Sequence, residues 1–215
     1  MTNNRFFLFF LLLHIFGDTA YAQTKRLYNL SGLLKANKLV LYPRQTINRL
    51  TDGSKRGITC NGIVWLKDCN FKTGEIDVDI RGRDVFQQSF LGIAFHGIDT
   101  VTYDAIYFRP FNFQSTDTLR QKHAVQYISE PDYPWDKLRQ EYPLAYENRV
   151  TPSPVATKWF HAHIVVDDAN ITVYVNNSTK PSLKVKKLNN RKDGLIGLWT
   201  FALPGDFANL AISNN

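Results

Sequence analysis

The chain has 215 residues, 26 of them lysine or arginine and 19 aspartate or glutamate, for a formal net charge of +7 at pH 7. A basic balance opens acidic polysaccharides, anionic surfaces and nucleic acid as partners, but the cations are scattered. The densest groups, Lys184-Lys186-Lys187 and Arg191-Lys192, flank an expected strand and turn, and no nucleic-acid motif is present, so nucleic acid is set aside. The sequence also lacks a glycine-rich phosphate loop, a G-x-S-x-G elbow and an H-E-x-x-H helix, and its two cysteines alone make a poor zinc site.

The first 22 residues read as a signal peptide. Arg5 precedes an apolar run from Phe6 to Phe16, and the small-residue triplet Ala20-Tyr21-Ala22 supplies a cleavage site. The run is short of the roughly 20 apolar residues that a membrane span needs, and no second long apolar stretch follows. Residues 23–215 are therefore expected to be one secreted or periplasmic domain, not inserted in a membrane, with the charge unchanged at +7 because Arg5 and Asp18 leave together.

Beyond the leader the hydrophobic period is that of strands. Strands are expected at 38–42, 57–66, 74–81, 90–96, 103–109, 123–128, 159–166, 171–175, 182–185, 195–201 and 206–212, separated by turn signals such as Asp168-Ala169-Asn170 and Asp193-Gly194. Many short strands at this spacing predict an all-β sandwich of two antiparallel sheets. The exception is 129–154, rich in proline and aromatics, where Trp135 to Glu141 suits one or two helical turns; so long a loop in a compact domain is usually functional. Cys60 and Cys69 suit either a staple across a hairpin or two free thiols.

Alternation assigns faces. Ile76, Val78 and Ile80 face the core, leaving Glu75, Asp77, Asp79 and Arg81 outside; Leu91, Ile93 and Phe95 face it, leaving His96 outside. Ile106 and Phe108 turn inward and Tyr107 and Arg109 outward, while Phe160, Ala162, Ile164 and Val166 leave Trp159, His161 and His163 opposite. If these strands are neighbours, one sheet face carries carboxylates, arginine, histidines and aromatics together.

Two resemblances follow. The run Glu75-Ile76-Asp77-Val78-Asp79 resembles the Glu-x-Asp-x-Glu strand of laminarinase-type jelly-roll glucanases. That resemblance implies Glu75 as nucleophile, Asp77 as electrostatic tuner and Asp79 in the place of the acid/base; as a glycoside hydrolase the chain is expected to use Glu75 as nucleophile or base and Asp79 or His96 as proton donor. Residues i, i+2 and i+4 share a face, and a retaining glycosidase needs its two carboxyls about 5–5.5 Å apart. Asp79 departs from the pattern, being one methylene shorter than the final Glu, and the strand reads equally as a solvated acidic face neutralised by Arg81. More broadly, Phe90-Leu91-Gly92-Ile93-Ala94-Phe95, Tyr107-Phe108-Arg109-Pro110, Pro134-Trp135, Trp159-Phe160, Gly194-Leu195-Ile196-Gly197-Leu198 and Asp206-Phe207-Ala208-Asn209-Leu210 resemble exported bacterial concanavalin-A-like domains akin to the 3-keto-disaccharide hydrolase-like family. This implies a concanavalin-A-like jelly roll whose concave face takes an oligo- or polysaccharide.

Arginine presents a planar fork to sugar hydroxyls or carboxylates and aromatic rings stack on sugar faces. Tyr107, Arg109, Gln126, Tyr127, Trp135 and Arg139 are accordingly the expected ligand-binding residues. His161 and His163 share a face but lack a third ligand at recognisable spacing. No metal ligand set is legible and no cofactor is expected, although jelly rolls accommodate calcium on their rims. Binding module and glycoside hydrolase both fit, and the position of Glu75 relative to Arg109 and Trp135 distinguishes them.

Overall fold

The computed structural model describes residues 25–215; the expected signal peptide lies outside the described residues. Among the described residues fifteen strands form two sheets. The first contains β1 (Arg26–Tyr28), β3 (Thr46–Arg49), β4 (Gly57–Asn61), β6 (Gly74–Arg81), β11 (Phe160–Val166), β12 (Asn170–Val175), β13 (Leu183–Lys186) and β15 (Gly205–Asn214). Its order is β13-β12-β11-β6-β15-β4-β3, with β1 also paired to β15. The second contains β2 (Leu39–Val40), β5 (Ile63–Phe71), β7 (Ser89–Gly97), β8 (Tyr103–Phe108), β9 (Val125–Glu130), β10 (Glu147–Asn148) and β14 (Gly194–Ala202), in the order β10-β9-β8-β7-β14-β5-β2. All pairings are antiparallel. This is the two-sheet antiparallel β-sandwich expected from the periodicity, and it is consistent with the concanavalin-A-like jelly roll that the resemblance implies. Short helices α1 (Leu30–Lys35), α2 (Thr118–Lys122) and α3 (Trp135–Glu141) and a 3-10 turn at Pro110–Asn112 cover the ends and margins.

The inward-facing residues read from alternation form the interior. Ile76, Val78, Ile80, Leu91, Ile93, Phe95, Ile106, Phe108, Phe160, Ala162, Ile164 and Val166 belong to one continuous core between the sheets. Phe160 packs within it, with ring centroids 5.0 Å from Phe108 and 5.3 Å from Phe113, both edge-on. The second sheet also carries apolar residues on its outer side, where Trp65, Ala94, Tyr103, Ala105, Tyr107, Ile128 and Trp199 form a separate cluster. That sheet therefore carries apolar side chains on both faces, and Tyr103, Tyr107, Ile128 and Trp199 of the outer cluster line the candidate site.

Several boundaries differ from expectation. The single strand expected at 57–66 is two: Gly62, at φ +93°, carries the chain from the first sheet to the second, and a Cβ there would stand 2.6 Å from Gln45 Cγ. Cys60 and Cys69 consequently lie in different sheets and are free thiols, with Cys60 buried and its pKa raised by that burial. The short β1, β3 and β10 and helices α1 and α2 have too little apolar periodicity to be read from sequence, whereas the helical segment at Trp135–Glu141 forms as expected.

Truncating Phe160 removes the ring shared by both neighbours. Phe160→Ala should cost about 3–5 kcal/mol, measured as a lowered urea midpoint at unchanged m-value; a loss under about 1 kcal/mol would show that the core relaxes around the site.

Candidate functional site

The order of the second sheet aligns one outward-facing rung across five strands: Glu147 pairs with Gln126, Gln126 with Tyr107, Tyr107 with Gly92, and Gly92 with Trp199. Gly92 is required here, because a Cβ would meet Ile106 O at 2.0 Å. Its missing side chain lets the Tyr107 and Trp199 rings approach to 4.9 Å between centroids. Around this floor a cleft of about 630 Å³ is lined by Phe90, Phe111, Phe86, Phe201, Trp135, Tyr103, Ile128, Arg109, Arg120, Arg139, His123 and Glu130, among others. Aromatic edges close its rim, with Phe86 54%, Trp135 49% and Phe201 63% exposed.

The polar floor is organised by Arg109, which is 4% exposed. Its guanidinium donates to Tyr107 Oη at 2.5 Å, to Gln126 Oε1, to His123 O at 2.8 Å and to Glu147 Oε2 at 3.4 Å. Tyr107 Oη in turn donates to Gln126 Oε1 at 2.8 Å. Arg139 on α3 donates to both oxygens of Glu147, at 3.2 and 2.9 Å, and His123 Nδ1 lies 2.8 Å from Glu147 Oε1. Burial works to raise the pKa of Glu147, but Arg139, Arg109 and His123 outweigh it and hold the carboxyl ionised. Burial pushes the Tyr107 phenol up to about 12, so it remains a neutral donor. Glu130, opposite Tyr103 in the ladder, is raised by burial and by Asp136. It is the only carboxylate among the described residues that line the cleft.

Of the expected ligand-binding residues, Tyr107, Arg109, Trp135 and Arg139 line the cleft, and Gln126 bonds Tyr107 and Arg109 in its floor. Tyr127 turns the other way: it belongs to the inter-sheet core, is fully buried and donates to Asp104 Oδ1 at 2.9 Å. Neighbours in a strand alternate, so Gln126 and Tyr127 cannot both face outward. Sequence reading missed Phe90, Trp199, Phe201, Phe111, Arg120, Glu130 and Glu147. The alternation placing Tyr107 outward also places Trp199 outward, but only the sheet order makes them neighbours.

Glu75, Asp77 and Asp79 stand on the outer face of the first sheet, on the far side of the sandwich from the cleft. There β6 pairs with β11, and His161 bridges the acids, with Nε2 2.9 Å from Asp77 Oδ1 and Nδ1 2.9 Å from Asp79 Oδ1. His163 Nδ1 lies 3.0 Å from Asp77 Oδ1, Lys25 also pairs with Asp77, and Lys55 and Asn209 donate to Asp79. Burial works to raise both aspartates, yet the bonds from His161 and its neighbours prevail. Asp77 lies far below the carboxylate range and Asp79 at about 2. His161, held by Asp77 first and Asp79 second, is raised to about 9 and donates from both nitrogens. His96 cannot join this face, because β7 belongs to the second sheet, and it does not point out of that sheet either. It adopts φ +48°, which breaks the alternation, and sits fully buried with Nδ1 3.2 Å from Asp104 Oδ2 and Nε2 2.6 Å from Lys72 O. The expected single face carrying acids, arginine and aromatics is thus divided between the two sheets.

Calcium, the cofactor left open by the sequence, has a candidate ligand group here: one atom each from Glu75, Asp77 and His163 lie within 4.8 Å of one another. Two carboxylates supply only part of the six to eight oxygens that calcium takes, and a cation at Asp77 competes with Lys25.

Among solved structures the sandwich is similar to a carbohydrate binding module, CBM66, from Bacillus subtilis, with a TM-score of 0.54, 12% identity and coverage of 79% of this chain and 95% of that one. It is also similar to a protein of unknown function with a galectin-like fold from Bacillus subtilis, with a TM-score of 0.56, 9% identity and coverage of 88% and 94%. A candidate glycosyl hydrolase from Parabacteroides distasonis gives a TM-score of 0.54, 14% identity and coverage of 83% and 94%. At these identities the likeness shows the fold alone. No protein-family model matches the chain, and no curated protein matches it. Among the described residues no helix is long and apolar enough to cross a membrane.

The His161 bridge has a defined pH signature. Its folded pKa exceeds the unfolded value of about 6.5, so its stabilisation is complete below about pH 6.5 and is lost as pH rises through about 9. Asp79 works oppositely: its contribution is present above about pH 4 and lost as pH falls through about 2. With chelator present, His161→Gln should destabilise by roughly 1–2 kcal/mol at pH 6 after solvent screening, and by much less at pH 9.5. Thermal melts across this range check it; a pH-independent difference would mean that the imidazole acts through packing.

Proposed function

We propose that this is an exported carbohydrate-binding protein whose saccharide lies in the cleft on the outer face of the second sheet. The observation that carries the reading is the aromatic cleft itself: Trp135, Phe111 and Phe90 surround a floor in which Trp199 lies beside the pre-bonded Arg109, Tyr107 and Gln126. Apolar walls with a few fixed polar groups are the usual composition of a small-molecule site. A floor already hydrogen-bonded loses little freedom on binding, which favours affinity. Tyr107, Arg109, Gln126, Trp135 and Arg139 are its proposed binding residues. Secretion or export to a periplasm rests on the leader-like sequence of residues 1–22.

Glycoside hydrolysis is the second reading, and the geometry favours it less. A proton donor must hold its proton near neutral pH, whereas Asp79 at about 2 is ionised and committed to His161, Lys55 and Asn209. Glu75 shares no cleft with Arg109 or Trp135. In the cleft, Glu130 has the raised pKa of an acid, but the nearby Glu147 is buried and ion-paired, so no free second carboxylate accompanies it. The resemblance to the 3-keto-disaccharide hydrolase-like family nevertheless makes 3-keto-disaccharides part of the substrate screen.

The test is retention of residues 23–215 on immobilised plant, algal and host glycans and incubation with 3-keto-disaccharides, with mass spectrometry of the flow-through and of the incubation for products. Trp135→Ala should weaken retention about tenfold, the scale of losing one central aromatic contact, while Glu75→Gln leaves it unchanged. New products abolished by Glu75→Gln would reverse the assignment to the hydrolase.

A further inference from the structure

We infer that the saccharide taken by this cleft is acidic, carrying a carboxylate or a sulfate ester, and that Arg120, supported by Arg139, selects it. The inference rests on the carbohydrate-binding reading above and adds the charge of the ligand.

Three guanidiniums line the cleft, from Arg109, Arg120 and Arg139, against the single lining carboxylate of Glu130. Behind them Glu147 serves both Arg109 and Arg139, so the group retains one uncompensated positive charge even when both glutamates are counted as ionised. Burial and Asp136 bias Glu130 toward its neutral form, which widens the excess. A cation held against apolar walls without a counter-charge is costly to desolvate, and an anionic ligand removes that cost.

The two outer arginines are built to receive one. Arg120 Cζ lies 4.3 Å from the centroid of Phe86, and Arg139 Cζ 5.2 Å from that of Trp135. Stacking of this kind fixes a guanidinium plane while leaving its edge available for bonding. Arg120 donates from Nε to Asn112 Oδ1 at 3.2 Å and from one Nη to Phe111 O at 3.0 Å. Both acceptors are neutral, and among the described residues Arg120 has no carboxylate partner. The second Nη of Arg120 and that of Arg139 have no partner among the described residues. Arg109, in contrast, is 4% exposed, and its two Nη groups already serve four acceptors, so it orders the floor. The free Nη of each outer arginine is a charge-assisted donor that suits an oxygen of a carboxylate or of a sulfate equally well.

The test compares immobilised polygalacturonate and alginate, dextran sulfate, neutral dextran and laminarin, and single-stranded DNA, at 0.15 M salt. The proteins are residues 23–215, Arg120→Gln, and a charge-matched control, Lys184→Gln on β13, away from the cleft; thermal melts confirm folding. The expected result is retention on an acidic glycan at least about tenfold stronger than on neutral ones. Arg120→Gln should reduce it about tenfold, and the lysine control less than about twofold. The carboxylate and sulfate arms identify the anion. Retention on a neutral glycan, unaffected by Arg120→Gln, would overturn the acidic ligand and leave the saccharide reading standing; no retention on any glycan would end both. Equal losses in the lysine control would make retention a property of net charge, and preference for DNA would replace the saccharide by nucleic acid.

Discussion

A β-strand gives alternate side chains to opposite faces, and in a sandwich each strand surrenders one face to the shared interior. Every polar or aromatic row left over must therefore point out of one sheet or the other, and rows on different sheets are kept apart by the full thickness of the core. This constraint organises the protein. The acids of β6 and the histidines of β11 share the outside of the first sheet, and the Tyr107-Gln126-Trp199 rung occupies the outside of the second. Glu75 and Arg109, both outward by alternation, never meet.

The two outer faces solve different electrostatic problems. On the first sheet, Asp77 and Asp79 are drawn into ion pairs with His161, Lys25 and Lys55, so that their charges are mutually satisfied. That is the character of a stabilising surface network. On the second sheet the polar groups are arranged beneath a cleft, where Glu147 binds Arg109 from β8's end, Arg139 from α3 and His123 beside α2. One buried carboxylate thus ties the segment 129–154 to the sheet, holding Trp135 and Arg139 at the rim. Rigid placement of this kind lets a loop serve as a binding wall.

The fold was legible because apolar residues recur at period two. Ile76-Val78-Ile80 and Phe160-Ala162-Ile164-Val166 declare their inner faces without any knowledge of their neighbours. The site was legible only in part. Tyr107 and Arg109 follow from alternation and Trp135 from the unusual composition of its loop. Phe90, Trp199 and Phe201 became lining residues only because β14 inserts between β5 and β7, which no local pattern announces. His96 and Tyr127 show the limits of alternation from opposite sides. His96 leaves its expected face because a left-handed backbone interrupts the strand, whereas Tyr127 obeys the alternation that its neighbour Gln126 had already fixed. The Glu-x-Asp-x-Asp run met a glucanase pattern in spacing, but its environment favours the proposed structural role: Asp77 and Asp79, held ionised by a histidine cation, lack the proton that an acid catalyst must supply.

The central claim is that the ligand lies on the second sheet, and backbone hydrogen exchange read by mass spectrometry locates it directly. With an oligosaccharide retained by the protein present in excess, the account predicts slowed exchange in 86–92, 107–123 and 130–142. Exchange in 74–81 and 159–166 should remain as in the free protein. Protection confined to those last two segments, with the cleft unchanged, would contradict the account and return the ligand to the acidic strand of the first sheet.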